Sequence, residues 1–477
     1  MSDLTFYWHD YETFGRVPRH DRPAQFAGIR TDAELNEIGV PLMVYCQPSD
    51  DYLPDPESCL LTGILPQTCA AEGLPEHRFA AAIHAELAQP GTIGVGYNSI
   101  RFDDEVTRFM FWRNLVDPYA REWQNDCGRW DLLDVVRCAY ALRPEGIEWP
   151  RHEDGRPSFK LEHLTAANGL THEAAHDALS DVRATIALAR LLRDRQPKLF
   201  EFCLRLRRKE AVWSEIGVGR PFFHVSGMYG VERGCIALVW PLAPHPTNKN
   251  ELIVWDLAHD PAELLTLSAE AIRARLFVRQ DELPEGTTRL PIKSIHVNKS
   301  PVVIGNLKTL SPAMAERWGF DLATGLRHAE ALAARGRLLD GLWGDVYARA
   351  PLAALDVDED LYGGFVGNED RRTLERLRTS SPEQLAERAA AGKLAFHDGR
   401  LEELVFRWRA RNFRASLSES ELARWEALRR ERLGAETMAA WFERIDQLGE
   451  ALAEDDERGQ DILGALYEYA ESLAPAD

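Results

Sequence analysis

The sequence predicts an α/β layer of about 200 residues, then a mostly β region, then a helical one. Three observations carry this reading. Short β-rich segments alternate with helical ones as far as Pro197. The texture then changes to a glycine-turned hairpin at 222–240. From about residue 355 onward the periodicity is helical, with capped helix starts.

The elements follow in order. LTFYWH at 4–9 is short and aromatic, a strand. Segments 25–31 and 38–46 add two more, with Gly39 and Pro41 disturbing the start of the second. Residues 48–57 are a Pro- and Asp-rich loop. Residues 75–88 have helical spacing and stop before Pro90, and 92–97 (TIGVGY) read as a short buried strand. A helix over 103–116 carries Phe109, Met110, Trp112 and Leu115, and another spans 131–142. The stretch 144–158, with three prolines and two glycines, is irregular. Helices at 159–168 and 174–194 complete the layer. Strands at 251–257, 290–297 and 301–307 follow the hairpin. Ser381-Pro382-Glu383-Gln384 has the form of a capping box with Pro at the first helical position. Helical segments at 401–411, 418–433, 436–453 and 458–473 close the chain.

Composition limits the function classes. The 477 residues are 45% hydrophobic and 28% charged, which excludes a disordered chain, a collagen-like fibre and a small disulfide scaffold. No apolar run approaches the ~20 residues of a membrane-spanning helix, and the start MSDLTFYWHDYET lacks the basic region of a secretory signal. Seven scattered cysteines with no C-x-x-C pair imply neither a zinc site nor a disulfide framework, so a cytoplasmic setting is expected. A net charge of −20 excludes a general polyanion binder. Any nucleic-acid contact then needs a local basic groove.

Three acidic motifs carry the chemistry. In His9-Asp10-Tyr11-Glu12-Thr13, at a strand end, Asp10 and Glu12 share one face. Two carboxylates so close repel unless a cation lies between them, and hard divalent ions take such oxygen ligands. An exposed strand end with two solvated acids is the competing account. In Tyr97-Asn98-Ser99-Ile100-Arg101-Phe102-Asp103-Asp104-Glu105, a buried strand gives way to a helix start. Asp104 and Glu105 suit the helix dipole there, whereas Asp103 follows an apolar Phe102 that aims the turn inward. His176-Asp177-Ala178-Leu179-Ser180-Asp181 places His176 and Asp181 roughly 140° apart on a helix of ~3.6 residues per turn. They converge only if His176 sits in an unwound first turn or the preceding loop; a capping or surface histidine is the alternative. Asp131 and Asp134, three apart on one helix, read as capping or Arg-pairing acids.

Asp, Glu, Asp, His and Asp in this order resemble the DEDD superfamily of 3′→5′ exonucleases, histidine subtype, with Leu61-Thr62-Gly63-Ile64 as a further likeness. HDYETFG, DRPAQFAGIRTD, YNSIRFDDEVTR, RWDLLDVVRCAYALRPEGIEWP, HVSGMYG and FRWRARNF resemble the bacterial exonuclease I family, over essentially the whole chain. The resemblance implies an RNase H-like exonuclease domain at 1–197, an SH3-like β domain at 198–352 and a C-terminal helical domain at 353–477. It implies hydrolysis of single-stranded DNA from its 3′ end to 5′-mononucleotides, in DNA repair and recombination.

The resemblance also implies roles for individual residues. Asp10, Glu12, Asp103 and Asp181 would hold two Mg²⁺ ions, with Mn²⁺ as a substitute. Asp10 would bridge the two ions, Asp103 would act through water, and His176 would be the general base. Glu12, Arg108, Tyr119, Trp123, Arg137, Phe159 and Lys160 correspond to strand-contacting positions. Lys160 stands where an Arg is usual and lacks its bidentate fork. A core role is the alternative for Tyr119 and Trp123. In the middle region His224, Arg233, Lys293, His296, Asn298 and Lys299 are candidates to neutralise backbone charge, against an ordinary solvated β surface. The family further implies a partner, the acidic and hydrophobic C-terminal tail of single-stranded-DNA-binding protein, with Arg143 and Arg317 as candidate contacts, and a monomer. Two rivals remain at this level: a single-stranded RNA exonuclease with the same site, and a silent single-strand-binding scaffold. The absence of G-x-G-x-x-G and G-x-x-x-x-G-K-[ST] after a strand argues against a nucleotide-cofactor enzyme.

Overall fold

The computed structural model describes residues 4–171, 177–217, 219–348, 354–453 and 455–473. β1 (Thr5–Thr13) extends beyond the LTFYWH segment through both Asp10 and Glu12. β2 (Pro23–Thr31) and β3 (Glu37–Tyr45) follow. Two short helices absent from the periodicity come next, α1 (Pro56–Thr62) and α2 (Pro66–Glu72). Each opens on a proline, where the missing N–H has no intrahelical partner to lose. α3 (Glu76–Leu87), β4 (Thr92–Gly96) and α4 (Asp103–Arg113) lie where expected, α4 ending earlier. β5 (Gly128–Asp131) hands over to α5 (Leu132–Leu142) at Asp131, whose carboxylate accepts from the Leu133 N–H at 2.9 Å. Asp134 pairs with Arg137 at 2.7 Å. These two acids are thus a cap and an ion-pair partner.

Beyond the irregular 144–158 stretch, α6 (Leu161–Ala167) and α7 (Ala178–Arg195) form. His172 and His176 lie outside the described residues. Pro197 opens a further helix rather than the β region, giving α8 (Pro197–Arg205) and α9 (Lys209–Ile216). The β region comprises β6 (Phe222–Val225), β7 (Ile236–Pro244), β8 (Glu251–Asp256), β9 (Ile292–His296) and β10 (Val302–Ile304). It also carries α10 (Ala269–Leu276), α11 (Pro312–Arg317), α12 (Leu322–Arg335) and α13 (Leu342–Val346). The closing helices are α14 (Asn368–Arg378), α15 (Pro382–Ala390), α16 (Arg400–Asn412), α17 (Glu419–Arg432), α18 (Ala435–Ala451) and α19 (Glu457–Leu473). Capping boxes start α15 at Ser381 and α17 at Ser418.

The chain divides into two compact units. The first draws on 1–128, 172–183 and 354–477. Its strands stand in the order β3-β2-β1-β4, with β1 antiparallel to β2 and parallel to β4. Tyr7 and Tyr11 of β1 pack with Phe26, Phe79, Met110 and Phe111, which leaves Asp10 and Glu12 on the opposite face. Burying each such large side chain contributes about 1.5–3 kcal/mol. The C-terminal helices share this unit's core. Leu401, Leu404, Val405 and Trp408 of α16 pack with Phe109 and Trp112 of α4. Ile445, Ile462, Leu463 and Leu466 of α18 and α19 pack with Phe14, Tyr52, Cys59 and Cys69.

Charges reinforce this association. Buried Asp51 and Asp358 meet Arg411 at 2.8 and 2.5 Å, and Arg432 reaches them at 2.5 and 3.0 Å. Arg407 adds 3.1 Å to Asp358 and 2.6 Å to Asp356. These arginines hold the carboxyls of Asp51 and Asp358 below the usual carboxylate range despite burial. The arginines of FRWRARNF are therefore structural: Arg407 and Arg411 join this network, and buried Arg409 pairs with Glu421 at 2.6 Å.

The second unit, 129–171 and 184–353, contains an antiparallel sheet in the order β10-β6-β7-β8-β9. Gly234, at φ 68°, closes the β6–β7 connection; a Cβ there would stand 2.5 Å from the Trp318 ring, so both backbone and space require glycine. All seven cysteines are free.

Candidate active site

Pleating puts Asp10 and Glu12 on one face of β1, and α7 brings Asp181 to them from its first turn. One carboxylate oxygen from each of Asp10, Glu12 and Asp181 lies within 4.8 Å of the others. Asp103, buried at the start of α4, presents Oδ1 to the Tyr11 N–H at 3.1 Å. That bond fixes Asp103 against the backbone between Asp10 and Glu12. Thr107 tightens the arrangement by donating to the Asp103 carbonyl at 2.8 Å.

The electrostatics are those of crowded acids. Burial, then Asp103, Glu12 and Asp181, push the Asp10 carboxyl well above its ordinary value. Burial, then Asp181 and Asp103, push Glu12 up to about 8. Such a cluster stores repulsion that a divalent cation relieves. A set of hard carboxylate oxygens fits Mg²⁺ or Mn²⁺ rather than a thiolate-seeking metal. The donor set therefore fits the divalent ions that the sequence implies. His176 falls outside the described residues.

The neighbouring acids have other partners. Asp104 pairs with fully buried Arg121 at 2.5 Å. Glu105 meets Arg108 at 2.8 Å and also bonds the Tyr362 hydroxyl. Arg108 itself is buried, and Glu122 holds it bidentately at 2.7 and 2.9 Å. It is thus a scaffold cation in this structure. Tyr119 is half-buried, with the Arg108 guanidinium 5.3 Å over its ring. Trp123 is 64% exposed, against the core alternative.

In the second unit, Phe159 packs edge-on against Tyr140 at 5.2 Å, and exposed Lys160 lies 3.4 Å from Glu162. Arg137 keeps its pairing with Asp134. Of the middle-region candidates, His224 is buried, with Nδ1 3.0 Å from the Val302 carbonyl, and partly exposed Arg233 is bound to Asp256 at 2.7 Å. Lys293 bonds Ser226 Oγ, His296 lies 3.9 Å from Glu251, Asn298 is exposed and Lys299 is partly buried. Arg143 lines an apolar cavity of ≈ 390 Å³ with Leu142, Lys198, Leu199, Phe202 and Ile304. Arg317 does not line it; its guanidinium lies 4.6 Å over the Trp318 ring. Lys198 escaped the sequence reading because a lone lysine after Pro197 carries no pattern.

Comparison with known proteins decides the family. Residues 7–189 match the family described as Exonuclease, 207–349 the Exonuclease I SH3-like domain, and 355–473 the Exonuclease I C-terminal domain. Exodeoxyribonuclease I of Escherichia coli K12 is 44% identical over 98% of each chain.

The chain belongs to the exonuclease I family.

Two solved structures extend the likeness. E. coli exonuclease I in complex with a dA16 oligonucleotide superposes with a TM-score of 0.94 at 44% identity, covering 99% of this chain and 100% of that one. The zinc-bound E. coli enzyme with single-stranded DNA gives 0.93 at 43%, with the same coverage. Membership in the exonuclease I family makes this chain an exonuclease that depends on a divalent metal. Its architecture is that of the family: an exonuclease domain, an SH3-like domain and a C-terminal domain. No described helix is long and apolar enough to cross a membrane.

Proposed function

We propose that the chain hydrolyses single-stranded DNA from its 3′ end and releases 5′-mononucleotides, in repair and recombination. The convergence of Asp10, Glu12 and Asp181 within 4.8 Å carries this reading. These three, with Asp103, would hold two Mg²⁺ ions, and Mn²⁺ would substitute. When bound, the ions supply charge stabilisation to the reacting phosphate and acidify the attacking water. His176 would take a proton from the attacking water, as an imidazole that titrates near ~6.5 is suited to do. Asp103, locked to the Tyr11 N–H, keeps the β1 carboxylates in register. Glu12 also faces the strand's 3′ end. Trp123 and Tyr119 offer ring faces to bases, with Arg108 supporting Tyr119 from over its ring, and Arg137, Phe159 and Lys160 meet the strand.

Domain boundaries at 1–197, 198–352 and 353–477, a monomeric state and a cytoplasmic location belong to the same reading. Oligonucleotides of one sequence test the substrate. Single-stranded DNA should be degraded at least ~100-fold faster than single-stranded RNA or blunt duplex. Faster loss of RNA would contradict it.

The cavity beside Arg143 suits the tail of single-stranded-DNA-binding protein, whose apolar end would enter while its carboxylates meet Arg143 and Lys198. By fluorescence anisotropy, Arg143→Ala should weaken a labelled tail peptide by ~10-fold or more. Unchanged binding would remove the partner from this cavity.

A further inference from the structure

The HVSGMYG segment has no part in the carboxylate site, yet its short turn gathers three independent features. Met228 is 72% exposed at the tip of Ser226–Tyr229. Ser226 Oγ caps the turn, accepting from the Met228 N–H at 3.3 Å, and also bonds the Lys293 ammonium. That ammonium lies 4.6 Å over the Tyr229 ring, and the ring is held edge-on by His224 at 5.6 Å. On the other side, the Arg137 guanidinium fills the space beside Gly227: a Cβ there would stand 2.8 Å from Arg137 Nη2. The turn therefore positions one cation at Ser226 and another at Gly227, with a flexible thioether exposed next to them.

An exposed apolar group on a turn that also holds two cations matches a polymer of apolar ring faces on an anionic backbone. We propose that the Ser226–Tyr229 turn is a strand-gripping element, in which Met228 packs on a nucleobase while Arg137 and Lys293 meet neighbouring phosphates. The proposal rests on the single-strand reading above and adds Met228, Gly227 and Lys293 to it. Ser226 and Tyr229 act as positioning residues, through Lys293. A thioether suits this role because sulfur contacts ring edges and faces in many orientations, so packing does not depend on base identity. The two cations act on charge alone and are equally indifferent to sequence.

Binding of the full-length protein to labelled oligo-dT, in EDTA so that nothing is cleaved, tests this. Met228→Ala should raise Kd about 3- to 10-fold, and the penalty should vanish on an abasic strand of equal length. Met228→Phe should restore binding. Lys293→Ala should flatten the slope of log Kd against log salt by ~0.7, as should Gly227→Ala through displaced Arg137. Because Met228 is exposed, its removal leaves the fold intact. If Met228→Ala and Lys293→Ala bind oligo-dT like the parent, with an unchanged salt slope, the gripping element is wrong and the single-strand reading stands. If the parent itself fails to bind oligo-dT, both are wrong.

Discussion

Asp181→Asn should reduce hydrolysis of single-stranded DNA by at least ~10³-fold while binding to the strand stays within a factor of about three. The asymmetry follows from where Asp181 stands. It is one of three carboxylates whose oxygens converge within 4.8 Å, and its charge adds to the upward push on both Asp10 and Glu12. Removing that charge relieves repulsion in the metal-free protein. For Glu12, raised to about 8 when folded, the folded state binds the extra proton. Stability is therefore lost as pH rises from its unfolded value toward about 8. In EDTA at pH 8, Asp181→Asn should thus melt no lower than the parent. Mg²⁺ should raise the parent's Tm through preferential binding to the folded state, and this gain should shrink or vanish in the variant. Calorimetry with and without Mg²⁺, beside a turnover assay, checks all of this. A variant that keeps substantial activity would remove Asp181 from the metal set.

The second large effect is on stability. Asp358→Ala should destabilise the protein by about 3–5 kcal/mol, because it strands arginines in a buried network. Arg411 and Arg407 lie 2.5 and 3.1 Å from this carboxylate, and their side chains are only 4% and 8% exposed. With one acid gone, Asp51 and Asp356 remain against Arg22, Arg407, Arg411 and Arg432. The pH dependence has a definite sign. The folded-state carboxyl of Asp358 lies well below its ordinary range, so its contribution is complete above the unfolded value of ~3.9 and is lost as pH falls toward the folded one. The gap in Tm between parent and variant should be constant from pH 8 to pH 5 and close below about pH 4. Equal melting of the two proteins at pH 7 would show that the network contributes nothing net.

These two sites differ in how far the sequence exposed them. The strand period of two placed Asp10 and Glu12 on one face without tertiary information, and Asp103 stood out because Phe102 precedes it. The caps at Asp131 and Ser381 were equally legible, since a cap is a local hydrogen bond between near neighbours. The Asp51–Arg411 contact spans 360 residues, and no local pattern encodes it. The same holds for the sharing of one core by α4 and α16. The helix starts at Pro56, Pro66 and Pro197 were not legible: residues 48–57 read as a Pro- and Asp-rich loop and Pro197 as the end of the α/β layer, yet each of these prolines occupies the first turn of a helix, where proline is favoured. For Arg108 the resemblance implies a strand contact, and its burial between Glu105 and Glu122 is a tertiary arrangement that no local pattern encodes.

The Asp10–Glu12–Asp181 cluster is proposed to remove nucleotides from a 3′ end. The most direct measurement is a gel time course on one single-stranded oligonucleotide, labelled at its 3′ end in one tube and its 5′ end in another, with Mg²⁺ or EDTA. The 3′ label should be lost at once as mononucleotide and the 5′-labelled strand should shorten gradually, both abolished by EDTA. Release of the 5′ label first, internal cuts, or cleavage that persists in EDTA would contradict it.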